Sequence, residues 1–186
     1  MSKRPKEKMK TVNSPEELEG INLDDVAMVA GPPVPEETTF DDWRGMSFDG
    51  IDQVGSQLEP DADWMPVILL DCEKGFVVFP LQDELEGREG LAEVAATVTS
   101  LKPRYACRIQ MAWSAGFVAG NNEAPSQRAD RKEVLLAQIA EKGGAQEFWM
   151  AEVERDGVKP PQIIKWELAP ASGPLADAFE RMMEWT

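Results

Sequence analysis

The stretch VILLDCEKGFVVFPL, residues 67–81, contains two apolar runs separated by a short polar turn. The runs 67–70 and 76–81 have the length of strands, and residues 73–75 (Glu-Lys-Gly) suit a tight turn, so the pattern predicts a β-hairpin. Both runs are almost continuously apolar, which is typical of strands that are covered on both faces. We therefore expect this hairpin near the middle of a sheet.

One helix and one strand are predicted directly after the hairpin. Asp83 and Glu86 resemble a helix start, and apolar residues then recur at helical spacing until Pro103 ends the run. Residues 104–113, RYACRIQMAW, alternate as a strand does, with one core face. The opposite face presents Arg104, Arg108 and Gln110, which suit either phosphate or base recognition or pairing with acids on a neighbouring strand.

The C-terminal part of the sequence predicts a meander followed by a helix. Three strands are expected at residues 133–140, 146–154 and 162–168, with glycine and proline in the turns between them. Gly173 and Pro174 then open a helix with an apolar stripe. The order of elements predicts an α+β fold: a mixed or mostly antiparallel sheet of about five to six strands, with one central helix and a C-terminal helix packed on it.

Charge divides the chain into three regions. Residues 1–12 form a basic tail with five basic residues and Glu7, and residues 13–63 hold 14 acids against the lone Arg44. Residues 64–186 have the pattern of a globular α+β domain. Because residues 13–63 mix acids, prolines and glycines with isolated apolar residues, we expect them to be largely irregular, either wrapped on the domain or ordered by a partner.

Seven residues of the acidic region are candidates for partner binding, because aromatic anchors in acidic surroundings suit coupled folding and binding. They are Phe40, Asp41, Asp42, Trp43, Phe48, Asp49 and Asp52. In this hypothesis, charge complementarity guides the encounter, and anchors such as Trp43 and Phe48 are then buried in the partner.

Composition excludes several classes of chemistry. The chain has no histidine and only two cysteines, so it cannot supply a Ser-His-Asp or Cys-His nucleophile, an imidazole-liganded metal or a four-cysteine zinc site. The usual phosphate-loop, dinucleotide and esterase motifs are missing as well. We expect no cofactor. No run of 18 apolar residues occurs, so we predict no membrane contact and a cytoplasmic location, with Cys72 and Cys107 as buried thiols.

Two alternatives to protein binding involve the charged residues. A carboxylate-metal hydrolase could use Asp71, Glu73 or the helical row Glu86, Glu89 and Glu93, although a row of that kind is usually a solvated face. Direct nucleic-acid binding could use the basic tail with Arg104, Arg108, Arg128, Arg131 and Lys132. The net charge of −15 argues against it, because phosphate contacts normally supply most of the affinity.

The segments MPVILLDCEKGFVVFPL, MAWSA, PSQRADRKEVLLAQIAE and AEVERDG together resemble an uncharacterised family of small bacterial and phage proteins. The resemblance covers residues 65 to about 169. It implies a fold and an accessory role in a phage or mobile element, and no established activity.

The sequence therefore predicts a non-catalytic accessory protein that docks a protein partner through its acidic N-terminal region. A variant of this hypothesis is a nucleic-acid mimic, in which the acidic region occupies the basic groove of a host DNA-binding or defence protein. The sequence leaves a homo-oligomer open, and it assigns no role to residues 114–131.

Overall fold

An antiparallel sheet dominates the computed structural model, which describes residues 28–73, 75–81, 98, 101–116 and 123–169. One helix, α1, spans Phe40–Gly55. The seven strands are β1 Met28–Gly31, β2 Val67–Cys72, β3 Gly75–Pro80, β4 Tyr105–Ser114, β5 Lys132–Glu141, β6 Gln146–Glu154 and β7 Gln162–Leu168.

The strands form one open sheet in the order β1-β3-β2-β4-β5-β6-β7, and every neighbouring pair is antiparallel. The predicted α+β class is confirmed. The expected number of strands is too low, because β1 lies in the region that was predicted to be largely irregular. From Met28 onward that region belongs to the same fold as the later strands, since β1 pairs with β3.

The predicted helices lie mostly outside the described residues. Within the predicted central helix, only Val98 and Leu101 are described, and both are helical. Val98 is fully buried against the sheet. The predicted C-terminal helix lies wholly outside the described residues.

The sheet has apolar residues on both faces. On the face that we call the helix face, α1 covers side chains of β4, β5 and β6, including Cys107, Leu135 and Val153. On the opposite face, Ile68, Leu70, Val77 and Phe79 of the β2-β3 hairpin form a second core with Val98. The hairpin therefore lies inside the sheet and buries side chains on both sides, as its continuous apolar runs predict.

Helix α1 begins with a capping box and is held by one buried side. The Thr39 hydroxyl accepts the backbone N–H of Asp42, while the Asp42 carboxylate accepts the backbone N–H of Thr39, so two otherwise unpaired donors are satisfied. The buried residues of the helix, Trp43, Ser47, Ile51 and Gly55, follow the spacing of a single helical face. Packing of this face outweighs the low helix propensity of the glycines and aspartates.

Replacing each of three glycines of α1 by alanine should change the free energy of unfolding, in a direction that depends on the position. A Cβ on Gly45 or Gly50 would meet nothing within 4 Å, so alanine should raise the free energy of unfolding by about 0.5–1 kcal/mol at each position. A Cβ on Gly55 would overlap Cζ2 of Trp64, so alanine there should lower the free energy of unfolding by about 1–3 kcal/mol. Urea denaturation followed by circular dichroism measures all three. A stabilising Gly55→Ala would contradict the close approach of Trp64.

Candidate interaction face on helix α1

The side of α1 that points away from the sheet carries exposed carboxylates. Asp42, Asp49 and Asp52 are all exposed, and helical spacing aligns them along this side. We call these three residues the acidic row. Asp41 is exposed beside the row and forms an ion pair with Arg44 at 2.9 Å.

The three carboxylates of the acidic row have different surroundings. The hydrogen bonds from Thr39 lower the pKa of Asp42, so this carboxylate also serves the helix cap. Partial burial raises the pKa of Asp52, and the nearby Asp49 carboxylate acts in the same direction. Asp49 is exposed. The row is therefore negatively charged along its length, and its charge is least compensated near the C-terminal end of the helix.

An exposed apolar strip begins beside the acidic row and turns toward the sheet along the helix. Met46, Gly50 and Val54 follow one another at a spacing of four residues, which aligns them along the helix. The exposed fractions of Met46 and Val54 are 48% and 53%. Gly50 between them has open space above its Cα atom. Met46 therefore lies beside Asp49, which follows it by three residues, whereas Val54 follows the buried Ser47 by seven residues and lies at the edge of the side that faces the sheet.

The aromatic residues predicted to bind a partner lie on the opposite side of the helix. Trp43 is buried and stacks on Tyr105 with 5.7 Å between ring centroids. Phe48 is half-buried and stacks on Trp166 at 4.5 Å, and Phe40 packs against the same core. These three side chains hold α1 to its own sheet, so they are not exposed as anchors for a partner. Of the seven predicted residues, only the four aspartates are exposed.

Arg104 fastens the segment before α1 to the sheet. Its guanidinium forms an ion pair with the buried carboxylate of Asp71 at 2.9 Å and donates to the backbone carbonyls of Val34, Pro35 and Glu36. The second oxygen of Asp71 accepts the backbone N–H of Val34 at 2.9 Å. The predicted acidic partner of this arginine is therefore on β2.

Arg155 fastens the segment after α1 in a similar way. It donates to the backbone carbonyls of Pro60 and Ala62 at 3.2 and 2.7 Å, and it pairs with Asp63 and Glu133. Arg44 on the helix itself pairs with Glu147 of β6 at 2.9 Å. Three arginines thus hold α1 and its flanking segments on the sheet, which fixes the direction in which the acidic row points.

The described residues do not support the hydrolase alternative. Asp71 is buried in the ion pair with Arg104, which leaves it no open coordination position. No group of three or more carboxylates and thiols in the described ranges is arranged to hold a metal ion. Burial raises the pKa of the Cys107 thiol to about 12, so this group is not a nucleophile at neutral pH. Glu86, Glu89 and Glu93 lie outside the described residues.

The arginines that suggested nucleic-acid binding have internal contacts. Arg108 is buried and donates to Gln110, and Arg128 pairs with Asp130 at 2.7 Å. Arg131 lies over the ring of Trp113 at 4.7 Å, and Lys132 pairs with Glu152 at 2.7 Å. These cations are spread through the sheet and the loop before β5, and each is engaged with a neighbouring group.

Sequence reasoning missed part of the exposed face. The seven residues that it predicts to bind a partner do not include Met46, Gly50 or Val54. The signal was present as a spacing of four residues, and it becomes visible only once residues 40–55 are assigned to a helix.

Comparison of the chain with protein-family models, with curated proteins and with solved structures gives no match. Within the described ranges, no helix combines the length and the apolar character needed to cross a bilayer.

Proposed function

We propose that this chain is a non-catalytic interaction protein that docks a basic, amphipathic segment of a protein partner on the outer side of α1. The observation that supports the proposal is the exposed Met46 side chain next to the acidic row on one well-anchored helix. Apolar side chains of the partner would cover Met46, while its lysines or arginines would face Asp42 and Asp49.

The charged and the apolar parts of this face would contribute at different stages of binding. The excess of acids over bases speeds the approach of a basic partner and makes the association rate sensitive to salt. Burial of the apolar strip then slows dissociation, because removing apolar surface from water is the larger favourable contribution. The open space above Gly50 permits a partner backbone to approach the helix closely.

A designed peptide can test this proposal. The probe is an 18-residue amphipathic helix of leucine and lysine, compared with oligolysine of the same charge. We expect the amphipathic peptide to bind more tightly. Met46→Gln should weaken it by about 5–10-fold, because a partly buried apolar side chain is lost. Asp49→Asn should weaken it by about 2–5-fold at low salt. Isothermal titration calorimetry at two salt concentrations measures these affinities.

The matched controls remove one negative charge, as Asp49→Asn does, but at positions away from the proposed face. Glu73→Gln and Glu154→Gln each remove one exposed negative charge away from α1. Both should bind the peptide with nearly wild-type affinity. Equal affinity of the chain for oligolysine and for the amphipathic peptide, or equal effects of Glu73→Gln and Asp49→Asn, would reject the proposed face.

Nucleic-acid mimicry is the second candidate function, and the rigid row of aspartates favours it. A mimic competes with DNA for a basic groove through charge alone, so neutralising Asp41, Asp42, Asp49 and Asp52 should abolish competition while Met46→Gln should leave it unchanged. The exposed apolar strip favours protein docking over mimicry, because a nucleic-acid backbone offers no corresponding apolar surface.

The proposal extends to the remaining predicted features. We infer that the helices predicted at residues 83–101 and 173–186 complete the second face of the sheet, which is supported by the burial of Val98. The resemblance to small bacterial and phage proteins supports an accessory role. The buried thiols of Cys72 and Cys107 are consistent with a reducing cytoplasm.

A further inference from the structure

A groove of about 400 Å³ lies between the C-terminal end of α1 and the start of β7. Its helix wall is formed by Asp52, Gly55 and Ser56. The opposite wall is formed by the residues from Lys159 to Ile163. Pro160, Pro161 and Ile163 make this second wall largely apolar. The groove adjoins the acidic row, because Asp52 belongs to both.

Asp52 is a partly dehydrated carboxylate without a compensating cation in the described part of the chain. Partial burial raises the pKa of Asp52, and the nearby Asp49 carboxylate acts in the same direction. The indole group of Trp166 acts in the opposite direction but carries no positive charge. No ion pair joins Asp52 to a described lysine or arginine.

The helix end adds to the negative potential of the groove. The last turn of α1 contains no basic residue, and the dipole of a helix places partial negative charge at its C-terminus. A positive charge placed near Asp52 would therefore interact favourably with two aspartates and the helix end. An apolar wall facing this charge suits a ligand that carries a cation at the end of an alkyl chain.

We propose that this groove receives one lysine or arginine side chain of the docked partner. The alkyl stem would lie along Pro160, Pro161 and Ile163, and the charged head group would reach the Asp52 carboxylate. This assignment rests on the proposed docking function, and it adds a specificity subsite: the partner must present a long basic side chain on the β7 side of the acidic row. Two aspartates and an apolar wall provide too few oxygen ligands for a metal ion.

Lys159 gives the subsite an internal competitor. This residue is exposed and lines the wall opposite Asp52, and its positive charge, which acts on Asp156, would repel an incoming cation. Lys159→Ala should therefore strengthen binding of a basic side chain by about 2–5-fold, whereas an anionic ligand would be weakened by the same change. The sign of this effect identifies the charge of the ligand.

The test uses two small probes of nearly equal shape. N-acetyl-lysine-methylamide carries the ammonium group, and N-acetyl-norleucine-methylamide lacks it. We expect the lysine probe to shift the resonances of the Trp166 indole N–H and the Ile163 methyl groups, saturating with a dissociation constant of roughly 1–10 mM. The norleucine probe should produce shifts at least fivefold smaller. Asp52→Asn should abolish saturation, and the charge-matched control Glu73→Gln should leave it intact.

The affinity of the variants for the amphipathic peptide distinguishes a role of the groove from a role of the docking face. If peptide affinity depends on Met46 and Asp49, but Asp52→Asn and Lys159→Ala change nothing, the groove assignment is overturned while the docking face stands. If Asp52→Asn lowers the affinity but Met46→Gln and Asp49→Asn do not, the groove stands and the docking face is rejected. Unchanged thermal midpoints of the variants show that folding is not the cause. Equal shifts with lysine and norleucine probes would also overturn the inference.

Discussion

Replacing Arg104 by methionine is expected to lower the free energy of unfolding by about 3–5 kcal/mol, because it leaves a buried carboxylate without its cation. The Asp71 side chain is only 4% exposed, and its oxygens are held by Arg104 and by the backbone N–H of Val34. The substitution also removes the donor that holds the carbonyls of Pro35 and Glu36. The segment leading into α1 should therefore loosen as well.

Urea denaturation measures this loss, and Arg128→Met provides a matched control. Arg128 pairs with Asp130, whose side chain is 53% exposed, so this ion pair should contribute less than about 1 kcal/mol. The double variant Arg104→Met with Asp71→Leu removes both charges and should recover at least about 1 kcal/mol relative to Arg104→Met. A loss no larger than that of Arg128→Met would contradict the buried pair.

The sequence predicted the strands of the later chain well because their apolar runs are dense and their turns are marked. The hairpin of residues 67–81 and the alternating strand of residues 104–113 both appear in the structure with shifts of only a few residues. In these segments the local pattern and the tertiary environment agree. Glycine or proline lies at or near most ends of these strands and marks the turns between them.

Helix α1 was not predicted because its local signals are weak and its stabilising contacts are distant. Gly45, Gly50 and four aspartates lower its helix propensity, although the capping pair Thr39 and Asp42 was readable in the sequence. Its stability depends on contacts with residues more than 50 positions away, such as the stack of Trp43 on Tyr105. Reading isolated apolar residues as partner anchors followed from missing the helix that aligns them on one buried side.

Three arginine side chains bind part of the acidic region to the chain's own sheet. Asp63 is paired with Arg155, Asp41 with Arg44, and the carbonyls around Pro35 with Arg104, so part of the acidic region is bound to the chain's own sheet. Net charge alone would assign the whole region to a partner. In the proposed docking function, the carboxylates of the acidic row face the partner, and they are held in fixed positions along α1. Fixed positions reduce the entropy lost on binding, which favours a specific partner over any basic surface.

Replacing Trp43 by alanine is expected to lower the free energy of unfolding by about 3–5 kcal/mol, which is the range for a large aromatic side chain removed from a core. Trp43 is only 1% exposed, stacks on Tyr105 and lies 6.0 Å from Phe76, measured between ring centroids. Its removal would leave a cavity between α1 and the sheet. Met46, three residues further on, is exposed, so Met46→Ala should cost less than about 0.5 kcal/mol.

Trp43→Phe separates the contribution of the aromatic ring from that of the indole nitrogen. The indole nitrogen of Trp43 is buried without a hydrogen-bond partner, so phenylalanine loses no hydrogen bond and should cost less than about 1.5 kcal/mol. Urea titrations of the three variants, with peptide affinity measured where the chain is folded, test both expectations. If Trp43 is a core residue, its substitution lowers the stability and leaves the affinity of the folded chain for the peptide unchanged. An anchor for a partner would do the reverse: Trp43→Ala would fold normally and lose most of its affinity.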